Sequence, residues 1–143
     1  MDTDAHRRLE DVLDREIEAA RSLAETLDAE RAALTGDSPE AVELKAADKS
    51  RILHSIEALD AERRALCGSP GAPQTPKTVA ERWRALIEIL AGCRKANEVN
   101  GHIIHVRRHQ VRQLIDIVRG GPAITYGPQG KTMATALRAL ARA

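Results

Sequence analysis

Three histidines and a glutamate stand at helical spacing in the second half of the chain. His102, His105 and His109 follow one another at steps of three and four residues, and Glu98 lies four residues before the first. On a helix these side chains share one face. Imidazole and carboxylate groups so spaced can bind zinc. Arginines are interleaved with the row, and their positive charges repel a cation, so the sequence favours a solvated face and predicts no metal site.

The sequence also lacks a set of residues suited to nucleophilic or redox catalysis. The chain has no Gly-x-Ser-x-Gly motif, no phosphate-binding glycine loop and no clustered carboxylate motif. Its two cysteines, Cys67 and Cys93, stand at neither metal-binding nor redox spacing. A helical rod also offers no enclosed cavity for catalysis. We therefore predict that the protein is not an enzyme and needs no cofactor.

Polar residues interrupt an apolar helical pattern at residues 97–101. In a heptad that places Trp83 and Leu90 at one seam position, Asn97 takes the next turn of that seam and Asn100 the paired position. Gly101 costs a helix interior about 1 kcal/mol relative to alanine. Two interpretations stay open. The segment is either a hinge or reserved contact surface, or a close helix crossing in which the amides fix the register.

The composition indicates long helices around an aliphatic core. Leu, Ala, Glu and Arg dominate, Phe is absent, and the aromatic residues are Trp83 and Tyr126. No segment resembles a signal peptide, and no apolar run is long enough to span a membrane. Two cysteines without a secretory signal suit a reducing compartment. We predict a cytoplasmic protein that does not insert into a membrane.

The charge is divided between the two halves of the chain. Residues 1–67 contain 10 Lys/Arg and 17 Asp/Glu, a net charge of −7, whereas residues 68–143 contain 12 and 4, a net charge of +8. A basic half can indicate nucleic-acid binding. Complementarity within the chain is a simpler explanation, because no binding motif or stacking aromatic residue accompanies the basic half. We therefore predict no nucleic-acid partner.

Two helices joined by a short turn are predicted for residues 1–67. An apolar stripe at three- and four-residue steps places the first helix from residue 3 or 4 to residue 34. Gly36 suits a left-handed C-terminal cap, Ser38 an N-cap and Pro39 the first turn of the next helix. That helix extends to residue 66 or 67. Because the connection is short, the two helices should form an antiparallel hairpin.

The second helix has a weaker apolar stripe than the first. Lys49 and Arg63 fall on its seam positions, where their stems can pack while their charges reach outward. The apolar residues predicted to face inward are Val42, Ala46, Ile52, Ile56, Leu59 and Leu66.

A long third helix is predicted after a loop at residues 68–77. Thr78 and Glu81 form a capping box at residue 78, and the heptad pattern continues to residue 119. An irregular segment and a short terminal helix follow in residues 120–143. The predicted fold class is all-α: an antiparallel helical hairpin plus one longer third helix, an elongated three-helix bundle or coiled coil. The whole chain, 1–143, is predicted to be one domain.

The third helix is predicted to be longer than the hairpin can cover. A helix of about 40 residues spans about 60 Å, against about 45 Å for helices of about 30 residues. Its C-terminal third should therefore expose apolar side chains, which mark an interaction site. These residues are Ile103, Val106, Val111, Leu114, Ile115 and Val118. A partner helix laid along this seam would complete a bundle. Self-association through the same seam, as in a structural coiled coil, is the alternative, and the oligomeric state stays open.

The pattern Asn97-x-x-Asn100-Gly101-x-Ile103-Ile104, together with the later Tyr126-Gly127-Pro128-Gln129-Gly130, resembles the FlgN family. The family consists of cytoplasmic export chaperones for the hook–filament junction proteins of the bacterial flagellum. The specific motifs occupy residues 83–130, and the first hairpin matches only as heptads.

The resemblance implies a chaperone without ATPase activity and names its partners. It would bind the C-terminal helices of hook-associated proteins 1 and 3, prevent their early assembly and deliver them to the flagellar type III export gate, with soluble components of the export ATPase as further partners. Asn97, Asn100, Gly101, Ile103 and Ile104 would belong to the client-binding part. Tyr126, Gly127 and Gly130 would belong to a segment that docks on the gate. Val111, Leu114 and Val118 are added to the client-binding site from the seam alone.

Overall fold

Three α-helices form the described part of the protein. In the computed structural model, which describes residues 3–36, 38–67 and 75–120, α1 spans Thr3–Thr35, α2 spans Pro39–Leu66 and α3 spans Lys77–Val118. These ranges contain no β-strand. The all-α prediction is therefore confirmed, and the predicted helix bounds agree to within one residue.

Local sequence explains where α1 ends and α2 begins. Ser38 is the N-cap of α2, with its Oγ accepting a hydrogen bond from the amide of Ala41 at 3.3 Å, and Pro39 opens the helix. Gly36 ends α1 without the predicted left-handed conformation. Among the described glycines, only Gly120 has a positive φ, of 73°, just after α3. A hydrogen bond of 3.2 Å from the amide of Gly36 to the carbonyl of Ala33, three residues earlier, closes the last turn of α1 instead.

The capping box predicted at the start of α3 is wrong. The helix begins one residue earlier, at Lys77, and the amide of Ala80 bonds the carbonyl of Pro76 at 3.0 Å. The hydroxyl of Thr78 donates to the carboxylate of Glu10 on α1, so Thr78 joins two helices. A side chain that can cap its own helix is equally able to bond a neighbouring one, and here tertiary packing determines the choice.

The chain divides into two compact units, residues 1–100 and residues 101–143. In the first unit, α2 runs antiparallel to α1, and α3 runs parallel to α1, since its residues 78, 82 and 100 bond residues 10, 14 and 27 in the same order. Two aliphatic clusters hold the helices together. They contain Leu9, Leu13, Ile17, Ala20, Val79 and Leu86 in one, and Leu23, Leu27 and Cys93 in the other.

α2 contributes less to this core than predicted. Five of its six predicted inward residues are half-buried, and Ala46 is exposed. Arg63 is the buried residue of α2. Its guanidinium does not reach outward as predicted, because a buried carboxylate on α1 pairs with it.

In the second unit, the described residues are the helical segment up to residue 118 and the turn after it. Its aliphatic side chains differ in exposure: Ile117 is buried and Ile103 and Ile104 are half-buried, whereas others are exposed. The prediction of one domain over the whole chain stays a prediction.

Candidate partner-binding site

Asn100 lies at the centre of a buried polar network that joins α1 to α3. Its Nδ2 donates to the carbonyl of Leu27 and to Oε1 of Glu30, both at 2.9 Å, and its Oδ1 accepts from Nε of Arg31 at 3.1 Å. The side chain is 1% exposed. Because a buried amide needs partners for its donors and its acceptor, these three contacts explain why a polar residue is tolerated at a seam position.

The same network extends to α2 through Lys49. Its Nζ lies 2.9 Å from Oε2 of the buried Glu30 and donates to Oδ1 of Asn97 at 3.2 Å. Asn97 itself is exposed. One layer of polar side chains therefore connects all three helices at residues 97–100, and both predicted asparagines are engaged inside the first unit.

A second buried layer lies nearer the other end of α2. Nε of Arg63 donates to both carboxylate oxygens of Glu16, at 3.2 and 3.3 Å, and its guanidinium also bonds Asp60 and lies 4.6 Å from the ring centroid of Trp83. Burial raises the pKa of Glu16 above its ordinary value, although the positive charge of Arg63 opposes the shift.

The two layers are spaced by two heptads on each helix. Glu16 and Glu30 are 14 residues apart, as are Lys49 and Arg63, so antiparallel pairing brings each carboxylate opposite a cation. The apolar stripe predicted for α1 does not include these two glutamates. The strict alternation of three- and four-residue steps along α1, residues 9, 13, 16, 20, 23, 27, 30 and 34, could have identified them as buried.

Gly101 is exposed within α3. Among the described residues, no atom of another element lies within 4 Å of the position of an added Cβ. A close helix crossing at this glycine is therefore excluded for the described part of the chain. The division between the two compact units falls immediately before it. The hinge or contact-surface interpretation stays a prediction.

Four exposed aliphatic residues form a continuous surface on the second unit, which we call the aliphatic strip. At i, i+3, i+4 and i+7 they lie on one side of α3. They are Val111, Leu114, Ile115 and Val118, exposed by 55%, 39%, 42% and 78% respectively. Val106 is also exposed. Three of the eight residues predicted to bind a client, namely Val111, Leu114 and Val118, lie on the strip.

The other predicted site residues are placed differently. Asn97 and Asn100 contribute to the polar layer, Gly101 is exposed, and Ile103 and Ile104 are half-buried. Their roles as client contacts stay predictions. The three residues predicted to dock on the export gate, Tyr126, Gly127 and Gly130, lie outside the described residues.

The cysteines and histidines form no reactive cluster in the described ranges. Burial raises the pKa of Cys93, whose Sγ donates to the carbonyl of Ala20 at 3.6 Å, and that of Cys67, so both favour the protonated thiol. The described residues contain no group of three His, Cys, Asp or Glu side chains arranged to hold a metal ion. No described helix has the length and apolar character needed to cross a membrane.

These features define a helical bundle whose conspicuous surface is aliphatic. Comparison with known families gives a match to the model described as FlgN protein over residues 1–134, and the chain belongs to the FlgN family. Membership implies the general function of a flagellar export chaperone, which is not an enzymatic one. Searches of curated proteins and of solved structures found no significant match.

Proposed function

We propose that the protein is a cytoplasmic chaperone that binds the C-terminal helices of hook-associated proteins 1 and 3. By holding these segments it would prevent their early assembly and deliver them to the flagellar type III export gate. The observation that carries the proposal is the aliphatic strip, because exposed apolar side chains in a continuous row on a helix are the usual surface for a partner helix.

The energetics favour a releasable complex. Burying about 800 Å² of apolar surface gives about 20 kcal/mol at 25 cal/mol per Å². Most of this is offset by the ordering of a flexible client and the loss of its translational freedom. A complex of micromolar to nanomolar affinity suits a chaperone that must release its client at the gate.

The buried polar layer helps to decide which of the predicted residues contact the client. Asn100 and Glu30 satisfy each other inside the first unit, so Asn100 is better suited to fixing helix register than to contacting a client. We therefore place the client on the second unit, at Ile104 and the aliphatic strip, and treat Asn100 as structural support.

Substitution of the seam tests the client site. We expect Ile104→Asp and Leu114→Asp each to abolish binding of a peptide carrying the C-terminal helix of hook-associated protein 1 or 3, because a carboxylate at a buried contact is costly. Isothermal titration calorimetry measures the affinity, and far-UV circular dichroism should show unchanged helicity. Ile87→Asp, at an exposed aliphatic residue in the first unit, is the matched control. Unchanged affinity in both seam variants would contradict the proposal.

Self-association through the same exposed residues is the second candidate function. Light scattering separates the two candidates when the chain is measured with and without the client peptide. A chaperone should give a defined complex with the peptide, whereas a structural coiled coil should give only homo-oligomers.

A further inference from the structure

A row of arginines borders the aliphatic strip on one side. Arg108, Arg112 and Arg119 follow the spacing i, i+4 and i+11, which at 100° per residue places them next to Ile115 and on the same side of the strip. All three side chains are exposed. None of their guanidinium groups forms an ion pair or a hydrogen bond with another described residue, so their charges are available to a partner.

The charge of this segment is one-sided. Residues 101–120 contain four arginines and three histidines, and Asp116 is their single carboxylate. Elsewhere in the protein, exposed arginines commonly have carboxylate neighbours, as in the pairs Arg15–Glu62 and Arg94–Glu98. The unpaired arginine row therefore differs from the ordinary charged surface of this bundle.

We infer that the aliphatic strip and the arginine row together bind an acidic amphipathic helix. The inference rests on the proposed function and specifies the chemistry of the client segment. Aliphatic side chains of the partner would pack on the strip, while its Asp and Glu residues, three or four positions away on the same helix, would pair with Arg108, Arg112 and Arg119. Charges at the rim of an apolar contact contribute specificity and association rate.

The positive charge of the arginine row makes two other occupants of the strip unfavourable, namely the C-terminal residues of this chain and a second copy of it. Residues 121–143 of this chain contain Lys131, Arg138 and Arg142 and no Asp or Glu, so they offer no side-chain carboxylate to the row. A second copy that paired through the same face would bring the arginine rows of the two copies together. Like charges at a contact are unfavourable. An acidic helix from another protein meets neither difficulty.

Two synthetic peptides of equal length and helicity test the inference on the full-length chain. They carry identical aliphatic heptad positions, with Glu at the flanking positions of one and Lys at those of the other. We expect the chain to bind the Glu peptide at least about tenfold more tightly than the Lys peptide, as several rim charge pairs permit. The preference should shrink as salt concentration rises.

Charge reversal identifies the residues responsible. Arg108→Glu/Arg112→Glu should weaken binding of the Glu peptide by about tenfold and improve binding of the Lys peptide. Arg84→Glu/Lys95→Glu is the matched control, because it changes the net charge equally at exposed sites on α3 that have no ion pair among the described residues. It should change neither affinity more than about twofold, in line with the small effect of isolated surface charges.

Three outcomes would overturn the inference. The first is equal affinity of the chain for the Glu and Lys peptides. The second is an equal loss of affinity for the Glu peptide in Arg108→Glu/Arg112→Glu and in the control Arg84→Glu/Lys95→Glu. The third is a dimer in sedimentation velocity that Arg108→Glu/Arg112→Glu dissociates, which would assign the face to a second copy.

The same variants distinguish a failure of this inference from a failure of the proposed function. If the C-terminal peptide of a hook-associated protein binds with an affinity that charge reversal does not change, only the acidic-partner inference fails. If that peptide does not bind and the Glu peptide does, the proposed function fails and the inference stands.

Discussion

Asn100 uses its donors and its acceptor within the bundle, to the carbonyl of Leu27, the carboxylate of Glu30 and the guanidinium of Arg31. Glu30 in turn depends on Lys49, because a buried carboxylate without a cation would be strongly unfavourable. The buried side chains of the layer, Asn100 and Glu30, are acceptable only because their partners are present, so we expect them to behave as a unit.

Truncation of Asn100 should therefore be costly. We expect Asn100→Ala to lower the free energy of unfolding by about 2–3 kcal/mol, since it leaves buried groups on α1 without their partner. Asn97→Ala is the control, because Asn97 is exposed and has one hydrogen bond in the layer, and should cost less than about 1 kcal/mol. Urea denaturation monitored by circular dichroism measures both. Equal, small effects would show that the layer does not stabilise the bundle.

At the residue scale, the sequence indicated that amides occupy the seam but not what they contact. Heptad spacing places Asn97 and Asn100 on neighbouring seam positions, and both were equally suited to a reserved surface. Their different burial depends on which side chains of α1 and α2 reach that level of the bundle. An apolar pattern does not identify Glu30, which satisfies Asn100, because such a pattern includes only apolar side chains.

At the scale of the helices, α1 and α2 are joined by oppositely charged side chains as well as by aliphatic contacts. Burial raises the pKa of Glu16, with the charge of Arg63 opposing the shift and that of Asp60 adding to it. From about pH 4.5 upward, the folded protein therefore holds a proton on Glu16 more firmly than the unfolded chain does. The contribution of this group to stability is present at low pH and is lost as the pH rises through the raised pKa.

A pH series of unfolding experiments should reveal this contribution. The free energy of unfolding of the unmodified chain, minus that of Glu16→Gln, should fall as the pH rises above about 4.5, because only the unmodified chain can release the proton. Glu25→Gln, which removes an exposed carboxylate from the same helix, is the control. A difference that increases with pH would contradict the assigned direction of the shift.

Helix boundaries were more predictable than helix packing. Ser38 and Pro39 act on backbone groups within one turn of the helix that they open, so local sequence is enough to place them. Thr78 was misassigned because its hydroxyl had a competing partner on α1. The direction of the Arg63 side chain was missed for a similar reason, since the buried carboxylate that attracts it lies 47 residues away in the chain.

For the whole molecule, the family assignment and the aliphatic strip are independent lines of support for a binding function. The first comes from a match over residues 1–134, and the second from exposed side chains on the second unit. The sequence predicted the strip from the length of α3 relative to the hairpin. It did not reveal the unpaired state of the bordering arginines, because ion pairs depend on the placement of side chains from other helices.

Binding and delivery should be separable in a single substitution. We expect Tyr126→Ala to leave the affinity for the client peptide unchanged, because Tyr126 lies outside the strip in sequence, and to impair export of the hook-associated proteins. Secretion into the culture medium measures export, and calorimetry measures affinity. Normal secretion by the Tyr126→Ala variant would refute a role for this residue in docking on the gate.

The spacing of the two buried charge layers has a consequence for how the hairpin aligns. A shift of α2 by one heptad would bring Glu16 opposite Ile56 and Glu30 opposite Val42, leaving two carboxylates against aliphatic side chains. Aliphatic contacts alone would tolerate such a shift, because Leu, Ile and Ala recur along both helices. The two acids therefore make a hairpin that is misaligned by one heptad unfavourable, because each would be a buried carboxylate without its cation.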